Sequence, residues 1–418
     1  MKKKLLMYTN YFYPEVATTG QILTELAEGL SNTFEITVIC EIPSYAQKIP
    51  QEYKDRKYFF EKYKGINVIR VHVPEVNKQS KLSRIKYVLS YFLYSIGATY
   101  KIGKFDLVFT VTQPPILGGI LGVIGKRLTR GKLMYQIMDF NPEQIMAVKY
   151  TGNKLILSVL MWLDKLTCKK ADVIVTLGSD MQKTLESRFK GKKIPKNVVI
   201  NNWIDEQIIT PLPKDNPKVL EFKKKYNLLN KFIIMTSGNI GLYYDFENIL
   251  KIMEEHKNND SIRFVFVGDG LIKPKLEEYS RQKGLSNIIF IPFQKKEDLN
   301  YSLNAADVHI VTNAKGVKGV SVPSKIYGIL ATNIPIWGIL EKGSEAWRII
   351  KDSNCGILVE AGDYKSISQS LKQIINEKED FIKKHSTGRE YLIKHLTKQK
   401  SINTYKETLL SISKNNKK

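Results

Sequence analysis

Residues 319–345 read GVSVPSKIYGILATNIPIWGILEKGSE. A Pro-Ser-Lys turn comes first, followed by a short apolar segment at 325–331 that reads as a helix. A Pro-led apolar run at 334–337 reads as a strand, and Gly343-Ser344-Glu345 opens another helix. Helix, strand and helix in so short a span signal a parallel α/β sheet. The order also brings two helix N-termini to one cleft, where amide N–H groups and the helix dipole favour an anion. That is a place to hold a diphosphate and a ribose.

Working outward, strands and helices alternate along the chain. Short apolar runs at 4–9, 34–40, 67–73, 107–111, 133–138, 173–177 and 198–201 read as one set of parallel strands. Between the first two, Ile22, Leu23, Leu26, Ala27 and Leu30 recur on one side of a helix. Residues 208–219 read IITPLPKDNPKV, with three prolines, and look like a linker. The pattern restarts with strands at 232–237, 262–267, 288–291, 308–311, 334–337 and 356–359. A last helix runs through 402–412, with Tyr405, Leu409 and Leu410 forming an apolar stripe. The fold class is α/β: two Rossmann-like, doubly wound parallel-sheet domains facing a central cleft. In such sheets ligands sit beyond the carboxyl ends of the strands.

A chain of 418 residues is too long for one ordinary core and divides into two domains. Its formal charge is +24. Residues 1–200 hold 31 basic against 16 acidic side chains, so the first half is the more basic. This favours an anionic partner: a phospholipid surface, a phosphorylated substrate or nucleic acid. A Lys-rich codon bias gives the same excess without any partner. Cys40, Cys168 and Cys355 are odd in number and widely separated, so no disulfide framework is expected and a reducing cytoplasm fits. The run LLMYT after Lys2-Lys3-Lys4 is too short for a signal core and reads as a first strand. No apolar run reaches the length that spans a bilayer.

The candidate site residues follow strand ends. In NYFYPEVATTGQ, Thr19, Gly20 and Gln21 open the first helix and can hold a phosphate or an acceptor; a plain helix cap would read the same. In MDFNPE, Asp139 and Glu143 are carboxylates at the cleft, suited to sugar hydroxyls or acid–base work; Asp139 as a helix cap is the alternative. Gly238 and Asn239 in SGNIG, and Gly268 in GDG, let the backbone approach phosphate. Ser324 reads as an N-cap, so that the helix dipole and the Lys325 charge act together on a phosphate. Ser344 and Glu345 repeat the arrangement, with Glu345 placed to accept from two ribose hydroxyls. No Asp-x-Asp and no His or Cys cluster with metal-ligand spacing occurs, so no metal is called for. Residues 78–104, KQSKLSRIKYVLSYFLYSIGATYKIGK, hold six basic side chains and no acid among Leu, Tyr and Phe. This suits an anionic membrane surface, or else a buried helix with a basic rim. No nucleic-acid module is recognisable.

Taken together, YFYPEVATTGQ, SRIKYVLSYF, TQPP, MDFNPE, KKADVIVTLGSDM, VVINNWID, SGNIG, FVGDG, LNAADVHIV, VPSKIYGILATNIPI and GSEAWRIIKDSNCGILVEAGD resemble the retaining GT-B glycosyltransferases of family 4. Within that family the resemblance is to amino-sugar transferases of capsule and O-antigen assembly, of the L-fucosamine type. It implies an acceptor-binding domain at 1–207, a nucleotide-sugar-binding domain at 208–395, and a C-terminal helix in 396–418 packing back on the first domain. It implies attack on the same face as the departing nucleoside diphosphate, without a metal or other cofactor. Transfer of an N-acetylated amino-hexose from a UDP-sugar to a polyprenyl-diphosphate-linked glycan is expected at the cytoplasmic face of the plasma membrane, the lipid-linked acceptor being suggested by residues 78–104. The sequence also departs from the family. Where many members carry Glu-x7-Glu, Val320 and Gly328 stand here. Where many place Arg and Lys after the glycine loop, Leu242 and Tyr243 stand, leaving Lys325, or Lys315 and Lys318, as substitutes. These gaps keep two other readings open: a GT-B nucleotide-sugar 2-epimerase, and a non-catalytic scaffold of a polysaccharide assembly complex.

Overall fold

The computed structural model describes residues 2–15, 17–44, 49–76, 80–147 and 153–414. Lys78 of the basic-aromatic stretch and the end of the C-terminal segment, 415–418, lie outside the described residues.

Two sheets form two lobes. The first holds β1 (Lys3–Tyr8), β2 (Phe34–Glu41), β3 (Tyr58–Tyr63), β4 (Ile66–Val71), β5 (Leu107–Val111), β6 (Lys132–Ile137), β7 (Val173–Thr176) and β8 (Asn197–Val199). Their spatial order is β3-β4-β2-β1-β5-β6-β7-β8. All neighbours are parallel except β3 and β4. The second sheet holds β9 (Phe232–Ser237), β10 (Ile262–Val267), β11 (Ile288–Ile291), β12 (Val308–Thr312), β13 (Ile336–Leu340) and β14 (Gly356–Glu360), ordered β11-β10-β9-β12-β13-β14 and wholly parallel. The central strands are covered on both faces, which explains their unbroken apolar runs.

β4 matches the apolar run at 67–73, whereas β3 has no counterpart among the strands expected from the sequence. Lys64 and Gly65 both take positive φ, 45° and 81°, as a two-residue hairpin turn that follows the strand twist requires. Edge strand β3 is only partly covered on either side, so its burial does not show a clean alternation. β13 starts two residues later than the apolar run suggests, after Pro335, whose carbonyl accepts from the His309 amide.

The helix Lys398–Ser413 lies on the first lobe, although it ends the chain. Ile402, Tyr405, Leu409 and Ile412 share one face and join the first lobe's core, with Tyr405 edge-on to Phe109 and Trp203. Gly29 makes room for this helix: a Cβ there would stand 2.7 Å from Ile402 Cγ2. The two crossings between lobes are tied together by Lys398, whose amide donates to Glu206 (3.1 Å) and whose Nζ donates to Asp205 (2.6 Å). The Pro-rich linker is pinned to the second lobe, where Asn300 and Asn304 accept from the amides of Thr210 and Leu212.

Leu409 is wholly buried in that core. Leu409→Ala is expected to destabilise the protein by about 2–5 kcal/mol, read as a lower urea midpoint. An unchanged midpoint would mean the terminal helix is not part of the first lobe's core.

Candidate functional site

The strand ends of the second lobe form the floor of the cleft. β9 runs into Ser237-Gly238-Asn239-Ile240-Gly241 and β10 into Gly268-Asp269-Gly270, and the two loops interlock. The Gly238 amide donates to Val267 O at 2.9 Å, and the Ile240 amide to Asp269 O at 2.8 Å. Gly238 and Gly268 have φ of 123° and 140°, and a Cβ on Gly268 would lie 1.9 Å from Gly238 O. Both positions therefore require glycine. Asn239 is exposed, and its amide group borders Gly241 and Gly270.

Lys325 reaches this floor from helix Lys325–Thr332. Its Nζ donates to Thr236 Oγ1 at 3.2 Å and sits 4.4 Å from the centre of the Tyr244 ring, and its Cε borders Gly238. A base thus meets the glycine loop although Leu242 and Tyr243 follow that loop in sequence. Burial pushes the Lys325 ammonium down from its ordinary 10.5 to about 7. Lys318 does not share this role, because its Nζ is turned to the Lys342 carbonyl (2.7 Å). Lys315 lies beside Gly362, away from the floor. Ser324 is not the N-cap that the sequence suggests. Its φ and ψ of −60° and −21° are already helical, and its hydroxyl makes no cap bond. The first bonds of the turn run from the Ile326 amide to Pro323 and from Tyr327 to Ser324. The amides of Ser324 and Lys325 precede them, as orphan donors at a helix start do.

Ser344 and Glu345 are placed differently from the sequence expectation. Glu345 is 1% exposed. Its Oε2 accepts from the Ser179 amide and hydroxyl, both at 2.9 Å, and its Oε1 accepts from Asn201 Nδ2 (3.0 Å) and Arg348 (2.5 Å). Ser179 opens helix Ser179–Phe189 of the first lobe, whose preceding residue, Gly178, has no side chain with which to cap it. A Cβ on Gly178 would stand 2.6 Å from Glu345 Cβ. In return, Asp180 of the first lobe accepts from the amides of Glu345 and Gly319 in the second. Each lobe thus supplies the carboxylate for the other's helix start. Burial raises the Glu345 carboxyl, but Arg348 and the Ser179 amide outweigh it and hold the group below the ordinary range. A ribose would have to displace these donors to reach it. Ser344, also buried, caps its own helix through Trp347 (3.4 Å).

From the first lobe, Asp139 enters the same cleft. It follows β6, and its backbone bridges Ser321 across the lobes while the Phe140 amide donates to Val320 O at 2.9 Å. Burial pushes its carboxyl up to about 6, against hydrogen bonds from Ser321 and Gln144. Burial, and then the charge of Asp139, raises the Tyr243 phenol and pushes that of Tyr244 up to about 12. Tyr244 thus lies beside Lys325 of the second lobe and within reach of the Asp139 charge of the first. Glu143 is a correction: Arg188 Nε donates to its Oε1 (2.7 Å), and Arg188 Nη2 to its Oε2. Arg188 also binds Asp164 and lies over the Phe140 ring at 4.3 Å. Glu143 therefore serves a structural ion-pair network and offers no free carboxylate to the cleft.

Helix Thr18–Leu30 begins at the same end with no side-chain cap. Gly20 is packed on Tyr11, where a Cβ would stand 2.9 Å from Tyr11 Cβ. Gln113 Nε2 donates to Thr19 Oγ1 at 3.4 Å, and the neighbouring Thr112 Oγ1 accepts from the amides of Met138 and Asp139. Thr19 and Gln21 are half-buried at this entrance. The structure thus gathers Gly238, Gly268, Ser324, Lys325 and Asp139, sets Thr19–Gln21 beside them, and assigns Glu143, Ser344 and Glu345 elsewhere.

Some side chains at the site carry no sequence signal. Phe293 is exposed, with its ring edge against Gly268. Tyr243 and Tyr244 stand where bases were sought. Among the described residues no group of three or more His, Cys, Asp or Glu side chains is gathered as a metal would need.

Comparison with known proteins agrees with this architecture. Residues 219–391 match the family described as Glycosyl transferases group 1. The chain is 26% identical over 305 residues to the probable glycosyltransferase WbjE of Pseudomonas aeruginosa, covering 72% of this chain and 74% of that protein. It is 24% identical over 408 residues to the putative colanic acid biosynthesis glycosyl transferase WcaI of Escherichia coli K12, covering 95% and 97%. Among solved structures, sucrose-phosphate synthase from Thermosynechococcus elongatus superposes with a TM-score of 0.77 at 11% identity, over 98% of this chain and 99% of that one. Anabaena HepE, in complex with UDP and glucose, superposes with a TM-score of 0.71 at 15% identity, over 98% and 100%.

The Lys325 shift has a testable sign. The folded state releases this proton near pH 7, whereas the unfolded chain keeps it to about 10.5, so the cost of the buried charge is full below pH 7 and fades above it. Lys325→Met is therefore expected to raise the thermal midpoint, and to raise it more at pH 6 than at pH 9.5. A lower midpoint at both pH values would mean that the ammonium is stabilised where it sits.

Proposed function

From a GT-B glycosyltransferase whose second lobe is a group 1 glycosyltransferase domain, we propose a transferase that moves a sugar from a UDP-sugar to a polyprenyl-diphosphate-linked glycan, with retention at the anomeric carbon. The sugar is an N-acetylated amino-hexose and the product enters capsule or O-antigen polysaccharide. The enzyme works at the cytoplasmic face of the plasma membrane and needs no metal or other cofactor. The observation that carries this reading is the placement of Lys325, whose Nζ lies 4.4 Å from the centre of the Tyr244 ring and whose Cε borders Gly238.

The roles follow from the geometry. The Gly238 and Gly268 loops leave room for a nucleoside diphosphate to lie on backbone, and Phe293 presents an aromatic face at its edge. The amides of Ser324 and Lys325, with the Lys325 side chain, meet the diphosphate charge. As the glycosidic bond to the diphosphate breaks, the acceptor hydroxyl attacks the same face and passes its proton to the departing diphosphate oxygen, whose charge these donors stabilise. Asp139, its carboxyl raised to about 6, binds sugar hydroxyls at the reacting end and gives acid–base assistance there. Thr19, Gly20 and Gln21 hold the acceptor diphosphate at the uncapped start of helix Thr18–Leu30. The family's polysaccharide chemistry is favoured by the description of WcaI as a colanic acid biosynthesis protein.

The absence of carboxylates at Val320 and Gly328 favours the scaffold as a second reading. Val320 is buried and used through its carbonyl, and Gly328 is buried within its helix. The epimerase is less favoured, because Glu143 and Glu345 are both engaged and few acid–base groups remain.

Two measurements test the proposal. At pH 8 Lys325 is largely neutral, and a bound diphosphate draws a proton onto it. UDP binding should therefore take up protons, seen as a dependence of calorimetric enthalpy on buffer ionisation, and Lys325→Met should abolish that dependence and weaken binding at least tenfold, about 1.4 kcal/mol. Transfer from labelled UDP-sugars to membrane extract should rise with pH through about 6. Asp139→Asn should remove that inflection and slow transfer roughly 10²–10⁴-fold. UDP binding without transfer from any donor would favour the scaffold.

A further inference from the structure

The outer face of the first lobe is unusual in what it exposes. Helices Lys81–Ile102, Leu117–Thr129 and Lys154–Lys170 connect β4 to β5, β5 to β6 and β6 to β7. The middle helix packs against both of the others, so all three cover one face of the sheet. The middle helix is drawn close to the sheet by its glycines. A Cβ on Gly118 would stand 2.3 Å from Val111 O, and one on Gly122 2.3 Å from Thr110 Cγ2. Its two neighbours therefore stand proud of it.

Both neighbours turn large apolar side chains to solvent at helical spacing. On the first these are Leu82 (63% exposed), Ile85, Leu89 and Leu93; on the second, Leu155 (75% exposed), Ile156, Val159, Trp162 (62% exposed) and Leu166. This is a second apolar stripe on each helix, separate from the buried one that faces the sheet. The surrounding charge is mainly of one sign, Glu75 beside the start of the first helix being an exposed exception. Lys81, Arg84, Lys86, Lys154, Arg127 and Arg130 are exposed on or beside these helices, whereas the three helices contain a single acid, Asp164, which is buried against Arg188. Among the described residues no helix is long and apolar enough to cross a membrane.

Position along the helices adds a direction. β4, β5 and β6 all end at the cleft, so each helix begins at the cleft end and runs away from it. Leu82, Ile85, Leu89, Leu155, Ile156 and Val159 lie in the first halves of the two proud helices, and Leu93, Tyr100, Trp162 and Leu166 continue the exposed set beyond them. Met146, also exposed, lies between Asp139 and the second of them. The apolar patch is therefore at the same end of the lobe as the acceptor entrance.

We infer that these two helices dock the enzyme on an anionic lipid bilayer as an interfacial pair, with Leu82, Ile85, Leu155, Val159 and Trp162 entering the head-group boundary and the basic residues meeting lipid phosphates. The inference deepens the proposed use of a lipid-linked acceptor and rests on that reading for its purpose, though not for its chemistry. Charge complementarity selects the bilayer over a second copy of this chain, since two such basic faces repel one another. Docking in this pose turns the cleft mouth to the membrane, so that a diphosphate held at the lipid surface reaches Thr19–Gln21 without the isoprenoid leaving the bilayer.

The test uses full-length protein and phosphatidylglycerol-containing vesicles against phosphatidylcholine vesicles. Trp203 and Trp337 are buried and Trp347 is partly so, which leaves Trp162 as the solvent-exposed reporter. Its emission should shift to the blue with anionic vesicles, and Trp162→Phe should remove the shift. Leu155→Glu with Val159→Glu, and separately Leu82→Glu with Ile85→Glu, should each lower vesicle co-sedimentation at least tenfold while leaving UDP affinity and thermal midpoint unchanged. Equal binding by these variants overturns the inference. So does a dimer, seen by light scattering, that the same substitutions dissociate. Vesicle binding that persists where no sugar transfer is found would leave the docking standing and remove the transferase reading beneath it.

Discussion

Two carboxylates exchanged between the lobes set where a ligand can bind. Glu345 caps the start of helix Ser179–Phe189, and Asp180 answers at the start of helix Glu345–Ser353. Both sit in a junction with little access to water, where a hydrogen bond to a charged group contributes roughly 1.5–3 kcal/mol. An anion-binding helix start that already holds a carboxylate is closed to a phosphate. Of the two helix starts in residues 319–345, only that of Lys325 remains available.

The Lys325 position then takes on several duties. It borders the glycine loop, which no base follows in the chain, and on the proposed reading it takes up a proton to hold a diphosphate although burial resists the charge. That is the pattern expected where function opposes stability. Asp139 shows the complementary case, a carboxyl lifted toward neutrality by the same closed cleft. Opposite shifts in an acid and a base near Tyr244 are what the proposed reacting region requires.

Much of this was legible in the sequence, because parallel strands buried on both faces leave continuous apolar runs, as at β5, β9 and β12. The terminal helix was legible in Tyr405 and Leu409. Strand β3 was not, since an edge strand reading YFFEKY has no strict alternation to read. The fates of Glu143 and Glu345 were hidden for a different reason. Each is satisfied by residues far along the chain, Arg188 for one and Ser179 and Asn201 for the other, and no local pattern records a partner in another element. Ser324 read as a cap because of its residue type, whereas Pro323 starts the turn one residue earlier and makes its backbone helical. The exposed stripe of helix Lys154–Lys170 shows the same limit: its apolar residues look like core until the packing reveals which of them face outward.

The most direct test is the structure of the complex with UDP. The account predicts the diphosphate within hydrogen-bond distance of the Ser324 and Lys325 amides and the Lys325 ammonium, with Asp180 and Glu345 still joined across the lobes. A diphosphate seated at the Ser344–Glu345 turn, with Asp180 displaced, would contradict it.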